Sequence, residues 1–203
     1  MPITDSFSGT EGDGITVYSS NWAYVVGSGI NLQIHAAGFA SSGTGAVFAA
    51  RRTEGSFPAD HYAQIVLEAA DSANTHLLGV SVRGGDNNCY GFTAWTVYTY
   101  LWKIVGGTWT QLGSNGAGVV NNDVIKLTVA GTTLTPAVNG STQNPPGAQT
   151  DTSLPTGAPG IAGENATGTL GSHGDAFEGT DVTPGSVARV SNFAAQPMIR
   201  GPM

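Results

Sequence analysis

Positive charge is what this chain has least of. Its 203 residues hold seven Lys and Arg against fourteen Asp and Glu, a formal net charge of −7. Arg51-Arg52 is the only basic pair, and cations so few and scattered cannot track a phosphate backbone, which excludes nucleic acid as a partner. Charge of either sign is sparse, at 10% of residues, where a globular chain usually carries about a quarter. Cysteine is limited to Cys89, so no internal disulfide framework and no Cys-based zinc site can form. Next to Tyr90 at a strand start, Cys89 reads as a small buried residue. No apolar run approaches the roughly 18 to 20 residues needed to cross a bilayer, so membrane insertion is not expected. The N-terminal MPITDSFSG lacks a basic segment followed by an apolar one. No signal peptide is therefore expected, and Met1 followed directly by a plausible strand reads as an intact start. Helical periodicity longer than two turns is also missing.

What is present is glycine, 30 residues of it, with an apolar fraction of 40% that can fill a core and exclude global disorder. Period-two alternation runs through most of the chain. It predicts strands at Trp22 to Val26, Ile30 to His35, Ala46 to Ala50, Tyr62 to Ala69, Leu78 to Val82, Tyr90 to Trp95, Val124 to Val129, Leu134 to Val138 and Val187 to Ala194. Gly131-Thr132 and Asn139-Gly140 supply tight turns. The best-defined piece is YTYLWKIVGGTWTQL, Tyr98 to Leu112. Gly106-Gly107 is suited to a two-residue turn with positive φ, which pairs Val105 with Thr108, Ile104 with Trp109, Lys103 with Thr110 and Trp102 with Gln111. Tyr100, Trp102, Ile104 and Trp109 then share one face.

Two stretches break this rhythm. Asn144 to Pro159 holds four prolines and reads as an ordered crossing outside the sheets. Asn165 to Gly185 is rich in Gly, Thr and Asp with few large apolar residues, which predicts a long surface loop. The expected organisation is one domain over residues 1–195, with long loops at 144–159 and 165–185, and a Pro-containing tail at 196–203. Turns at intervals of roughly 8 to 14 residues fit an all-β sandwich or jelly roll.

The order of motifs adds to this. Asp5-Ser6-Phe7 and an early Trp22 are followed by Arg83, Tyr90, Tyr100-Leu101-Trp102-Lys103, Gly107-Thr108-Trp109 and Leu112. Asp123 to Val129, Gly131, Leu134 and Val138-Asn139-Gly140 come next, then Asp151, Gly157, Gly160-Ile161 and Asn192-Phe193. This succession resembles the concanavalin A-like lectin/glucanase superfamily, especially its laminin-G-like bacterial and viral members. The resemblance implies a two-sheet antiparallel jelly roll. It says little of function, because each motif is made of turns and core positions and the fold serves hydrolases, lyases, lectins and structural modules.

Catalytic patterns are hard to find. A glycosidase needs two facing carboxylates, and glucanases of that superfamily carry theirs as Glu-x-Asp-x-x-Glu on one strand, which does not occur here. Glu68 and Asp71 come nearest but sit on opposite parities at a strand end. Gly-x-Ser-x-Gly, His-Glu-x-x-His and Walker motifs are missing. A lyase site could still be assembled in space from His76, Arg83 and Tyr90. For a cofactor, none is expected beyond a possible Ca²⁺, whose oxygen ligands could come from Asp86-Asn87-Asn88, from Asn121-Asn122-Asp123, or from Asp175, Glu178 and Asp181. Such Asx-rich segments also serve as turns.

Binding chemistry is better provided for. Trp95, Tyr98, Tyr100, Trp102 and Trp109 offer aromatic surface for sugar C–H faces. The same stripe suits the buried face of a sandwich sheet, and within a jelly roll lacking a carboxylate set that placement is favoured. The functional expectation is a non-enzymatic structural or adhesive module on the surface of a bacteriophage virion, a capsid decoration or appendage protein. Its partners would be its own copies, other virion proteins or cell-surface glycans. The alternative is an extracellular carbohydrate-active protein, either a lectin-like module or a lyase or hydrolase with a non-standard site.

Overall fold

β-Branched and aromatic residues alternating with Ser, Thr and Gly leave each strand one face to bury. The computed structural model describes residues 2–29, 31–35, 38–41, 46–69, 76–165 and 173–181, and there these faces meet as two antiparallel sheets. The first sheet runs in the order β14 (Ser141–Thr142), β13 (Thr133–Val138), β12 (Asp123–Ala130), β6 (His61–Ala69), β17 (His173–Asp181), β4 (Gly38–Ser41) and β3 (Leu32–His35). On its margin β1 (Ile3–Asp5) pairs with β17, and β15 (Gln149–Thr150) pairs with β13. The second sheet runs β10 (Thr108–Gln111), β9 (Tyr98–Val105), β8 (Asn88–Ala94), β7 (His76–Gly85), β16 (Ala158–Asn165), β5 (Ala46–Arg52) and β2 (Trp22–Val26), with β11 (Gly116–Ala117) against β9. A single helical turn, α1 (Ile15–Tyr18), precedes β2.

The main core lies between the sheets. Ile65, Leu67, Ile125, Leu127 and Phe177 from the first sheet meet Leu78, Val80, Val82, Tyr90, Phe92, Leu101 and Ile161 from the second. The β9–β10 hairpin has the register predicted from its turn, Val105 to Thr108 through Trp102 to Gln111, and φ is +57° at Gly106 and +81° at Gly107. Its orientation differs from the expectation. On β9 it is Leu101 that enters the inter-sheet core, whereas Trp102 and Ile104 belong to a second buried cluster with Val25, Ala49, Cys89 and Ala162. All of these sit on the second sheet, at parities opposite to its core residues. The aromatic stripe therefore occupies the outer face of that sheet.

The segment from Asn165 to Gly185 corrects the second expectation. Instead of a surface loop throughout, it contains β17, a strand hydrogen-bonded between β6 and β4. The pairing with β6 shifts register between Asp175 and Glu178, and Ala176 has φ +49°. That bulge breaks the period-two pattern by which a strand is recognised, and Phe177 is its one large core residue. The proline-rich crossing is also shorter than expected, since it contributes β15 and gives way to β16 at Ala158. The strand expected at Val187 to Ala194 and the tail 196–203 lie outside the described residues.

The motif residues turn out to be stitches. Asp5 accepts hydrogen bonds from the Phe7 amide (2.9 Å), the Tyr18 hydroxyl (2.7 Å), Trp22 Nε1 (2.9 Å) and Arg52 (2.7 Å). Arg83 donates to the carbonyls of Ala59, Leu154 and Gly131 at 3.0, 2.7 and 2.6 Å. Asp151 receives Lys103 Nζ at 2.6 Å and the Tyr90 hydroxyl at 2.8 Å, and so clasps the crossing onto β8 and β9.

Candidate functional site

The outer face of the second sheet acquires its shape from backbone pairing. One row of cross-strand neighbours reads Val26, Ala49, Ala162, Gly79, Thr93 and Tyr100. The next reads Arg51, Gly160, Ser81, Gly91, Trp102 and Gln111. Both have small residues in the middle and large ones toward the ends. Glycine is required at three of these positions, and a Cβ on Gly160 would lie 2.0 Å from the carbonyl oxygen of Ala50. A Cβ on Gly79 would lie 1.9 Å from the carbonyl oxygen of Phe92, and one on Gly91 would lie 2.1 Å from the Trp102 ring. Trp102 thus lies down over Gly91 and donates its Nε1 proton to Thr93 Oγ1 at 3.0 Å. From the other end Val25, Val26 and Val47 join the same cluster.

Above this floor is a hollow of about 520 Å³ lined by Val26, Val47, Thr93, Tyr100, Trp102, Ile104, Gly107, Trp109, Gln111 and Glu164. The members of the stripe divide. Trp102 is 1% exposed and forms floor, while Trp109 is 44% exposed and stands on the rim with Gln111. Tyr98 contacts Tyr100 edge-on at 4.8 Å, and Trp95 contacts Tyr98 at 4.7 Å. These two extend the aromatic run beyond the hollow without lining it. Gln111 commits its amide group to the Gly113 carbonyl (3.2 Å) and Asn115 Oδ1 (2.7 Å), so its Oε1 is left as an acceptor. Burial raises the Glu164 carboxyl above its usual range. Burial, then the Tyr98 hydrogen bond and the charge of Glu164, push the Tyr100 phenol upward as well.

Glu164, Gln111, Thr93, Val26 and Val47 are residues that sequence reasoning missed. The signal for Glu164 was a carboxylate closing the run Ala158-Pro159-Gly160-Ile161-Ala162-Gly163. That run reads as turn-forming until its pairing with β5 and β7 is known.

The alternative sites are committed elsewhere. Tyr90 spends its hydroxyl on Asp151 and Leu154 and Arg83 its guanidinium on three carbonyls, and the His76 side chain is outside the described residues. Of the calcium candidates, Asp86-Asn87-Asn88 is the β7–β8 turn, with Asn88 Nδ2 on the Asp86 carbonyl at 2.6 Å. Asn121-Asn122-Asp123 is another turn, in which Asp123 accepts from Val120 and Asn139. Asp175 and Glu178 are on β17; Glu178 accepts from the Tyr62 hydroxyl, and the Asp181 side chain is not described. Among the described residues no three His, Cys, Asp or Glu side chains are arranged to hold a metal ion. A smaller hollow of about 220 Å³ borders Arg51 and Arg52, whose charges are met by Asp86, Asp5 and Glu54.

No protein-family model matches the chain, and no curated protein sequence matches it. Solved structures do. A carbohydrate-binding module, CBM66 from Bacillus subtilis, aligns with TM-score 0.54 and 12% identity over 85% of this chain and 96% of its own. A Bacillus subtilis protein of unknown function with a galectin-like fold aligns with TM-score 0.56 and 10% identity over 88% and 94%. A xylan β-1,4-xylosidase from Bacillus halodurans C-125 aligns with TM-score 0.58 and 12% identity over 88% of this chain but only 39% of the enzyme. The fold shared with these structures is a two-sheet antiparallel jelly roll.

Proposed function

We propose that this chain is a carbohydrate-binding module whose ligand lies in the hollow on the outer face of the second sheet. The observation that carries the reading is the company kept there: an exposed Trp109, a half-buried Tyr100, the Gln111 amide and the Glu164 carboxyl around one concavity. Flat aromatic surface meets sugar C–H faces, and the polar groups take the hydroxyls. Glu164 is the one carboxylate in the described lining, whereas glycoside hydrolysis uses a pair, so retention of a glycan suits the hollow better than cleavage. The jelly-roll neighbours include a carbohydrate-binding module, which supports this choice over a structural role on a virion. A setting outside the cell or on a particle surface, where glycans are met, goes with the proposal.

The test separates floor from rim. Trp109→Ala should keep its melting temperature, the change in stability being within about 0.5 kcal/mol as for an exposed site, and should lose roughly tenfold or more in glycan affinity. Trp102→Ala should cost about 3–5 kcal/mol of stability. Unaltered glycan retention by a well-folded Trp109→Ala variant would remove the hollow as the site.

A further inference from the structure

The hollow is rich in acceptors and short of donors, and this bears on which glycans it admits. No Lys, Arg or His is among its described lining residues. Two of the N–H groups nearest its floor and rim are already spent, Trp102 Nε1 on Thr93 and the Gln111 amide on Gly113 and Asn115. Tyr98 and Asn115 engage the Tyr100 hydroxyl. What remains for a ligand is chiefly acceptor oxygen, Gln111 Oε1 and the Glu164 carboxyl, with the Thr93 hydroxyl and the Trp109 indole as neutral donors.

A sugar hydroxyl is a donor and suits such a surface. A uronate, sialate or sulfate group needs several donors or a cation, and burying it here would leave a charge unpaired beside Glu164. The chain's net charge of −7 opposes polyanions at longer range as well. The paired row from Val26 to Tyr100 crosses five strand spacings, roughly 24 Å, room for a segment of a chain as well as for a single ring.

Resting on the carbohydrate reading, we propose that the hollow selects neutral polysaccharide, with Glu164 and Gln111 Oε1 accepting from sugar hydroxyls against Trp109, and rejects acidic glycans. Affinity electrophoresis and calorimetry on the whole chain decide this, with xylan, β-glucan, mannan, galactan and fructan as neutral probes and polygalacturonate, alginate and heparin as acidic ones. The expected result is binding to at least one neutral polymer and none to the acidic set. That binding should be lost in Trp109→Ala, and Glu164→Lys should lower it while creating affinity for an acidic polymer.

Acidic polymers bound as tightly as neutral ones by the wild-type chain would overturn the selectivity and leave the carbohydrate reading standing. Neutral binding indifferent to both substitutions would move the site elsewhere and overturn the proposal. Binding to no member of either set would overturn the carbohydrate reading and the selectivity together. Circular dichroism and melting of each variant identify any loss of binding that comes from unfolding.

Discussion

Glu164 and Trp102 illustrate how much one residue's meaning depends on its neighbours across a sheet. Glu164 has an ordinary carboxylate value of 4.5, raised in the fold by burial. A carboxyl raised in this way stabilises the fold fully below its unfolded value, and that contribution is lost as pH rises through the folded value. Glu164→Gln should therefore melt higher than the wild type at pH 7, the gap closing below about pH 4.5. Parallel melting curves from pH 3 to pH 8 would sink this account of Glu164. Trp102 was visible from sequence as a member of a stripe, yet its burial depends on Gly91, a residue eleven positions away that leaves space for the ring. Nothing in the alternation of β9 alone distinguishes a face turned to the opposite sheet from one turned away from it.

At the scale of elements, pieces defined by local chemistry were legible and pieces defined by partners were not. The β9–β10 hairpin could be read to the residue because a two-residue turn dictates its register, and Gly106-Gly107 left little choice. β17 could not be read, because its bulge interrupts the alternation and its place between β6 and β4 comes from long-range pairing. β16 was hidden for a related reason: Gly160, Ala162 and Gly163 make a poor strand by propensity and are held by β5 and β7 on either side. One side of the hollow shared that fate, since Val26, Val47 and Glu164 approach the aromatic hairpin only through the sheet order.

The crossing between β15 and β16 offers a direct measurement at this scale. Burial opposes the charge on Asp151, but hydrogen bonds from Lys103, Ser153 and Tyr90 outweigh it and hold the carboxyl below its ordinary value of 3.8. Stability from such a group is present above the unfolded value and is lost as pH falls through the folded one. Asp151→Asn should cost about 1–3 kcal/mol at neutral pH and flatten the fall in melting temperature below about pH 3.8. An acid limb equal to that of the wild type would show that the clasp carries none of the pH dependence.

Taken whole, the described residues form two apolar assemblies that differ in purpose. The inter-sheet core joins both sheets and holds the fold, whereas the smaller cluster on the outer face supports only the floor of the hollow. Cys89 belongs to the latter, together with Trp102 and Ile104. It is fully buried, with a thiol pushed far above its ordinary value of 9.0 by desolvation. The single thiol is thus a clock for one motion. A thiol reagent can reach it only when the outer-face cluster opens, an event separate from unfolding of the core. Labelling at pH 8 in dilute reagent should be slower than for an exposed thiol and slower still with a saturating glycan in the hollow. A labelling rate unchanged by bound glycan would uncouple the floor from the ligand. Read in time, this one buried atom reports occupancy of a surface it never touches.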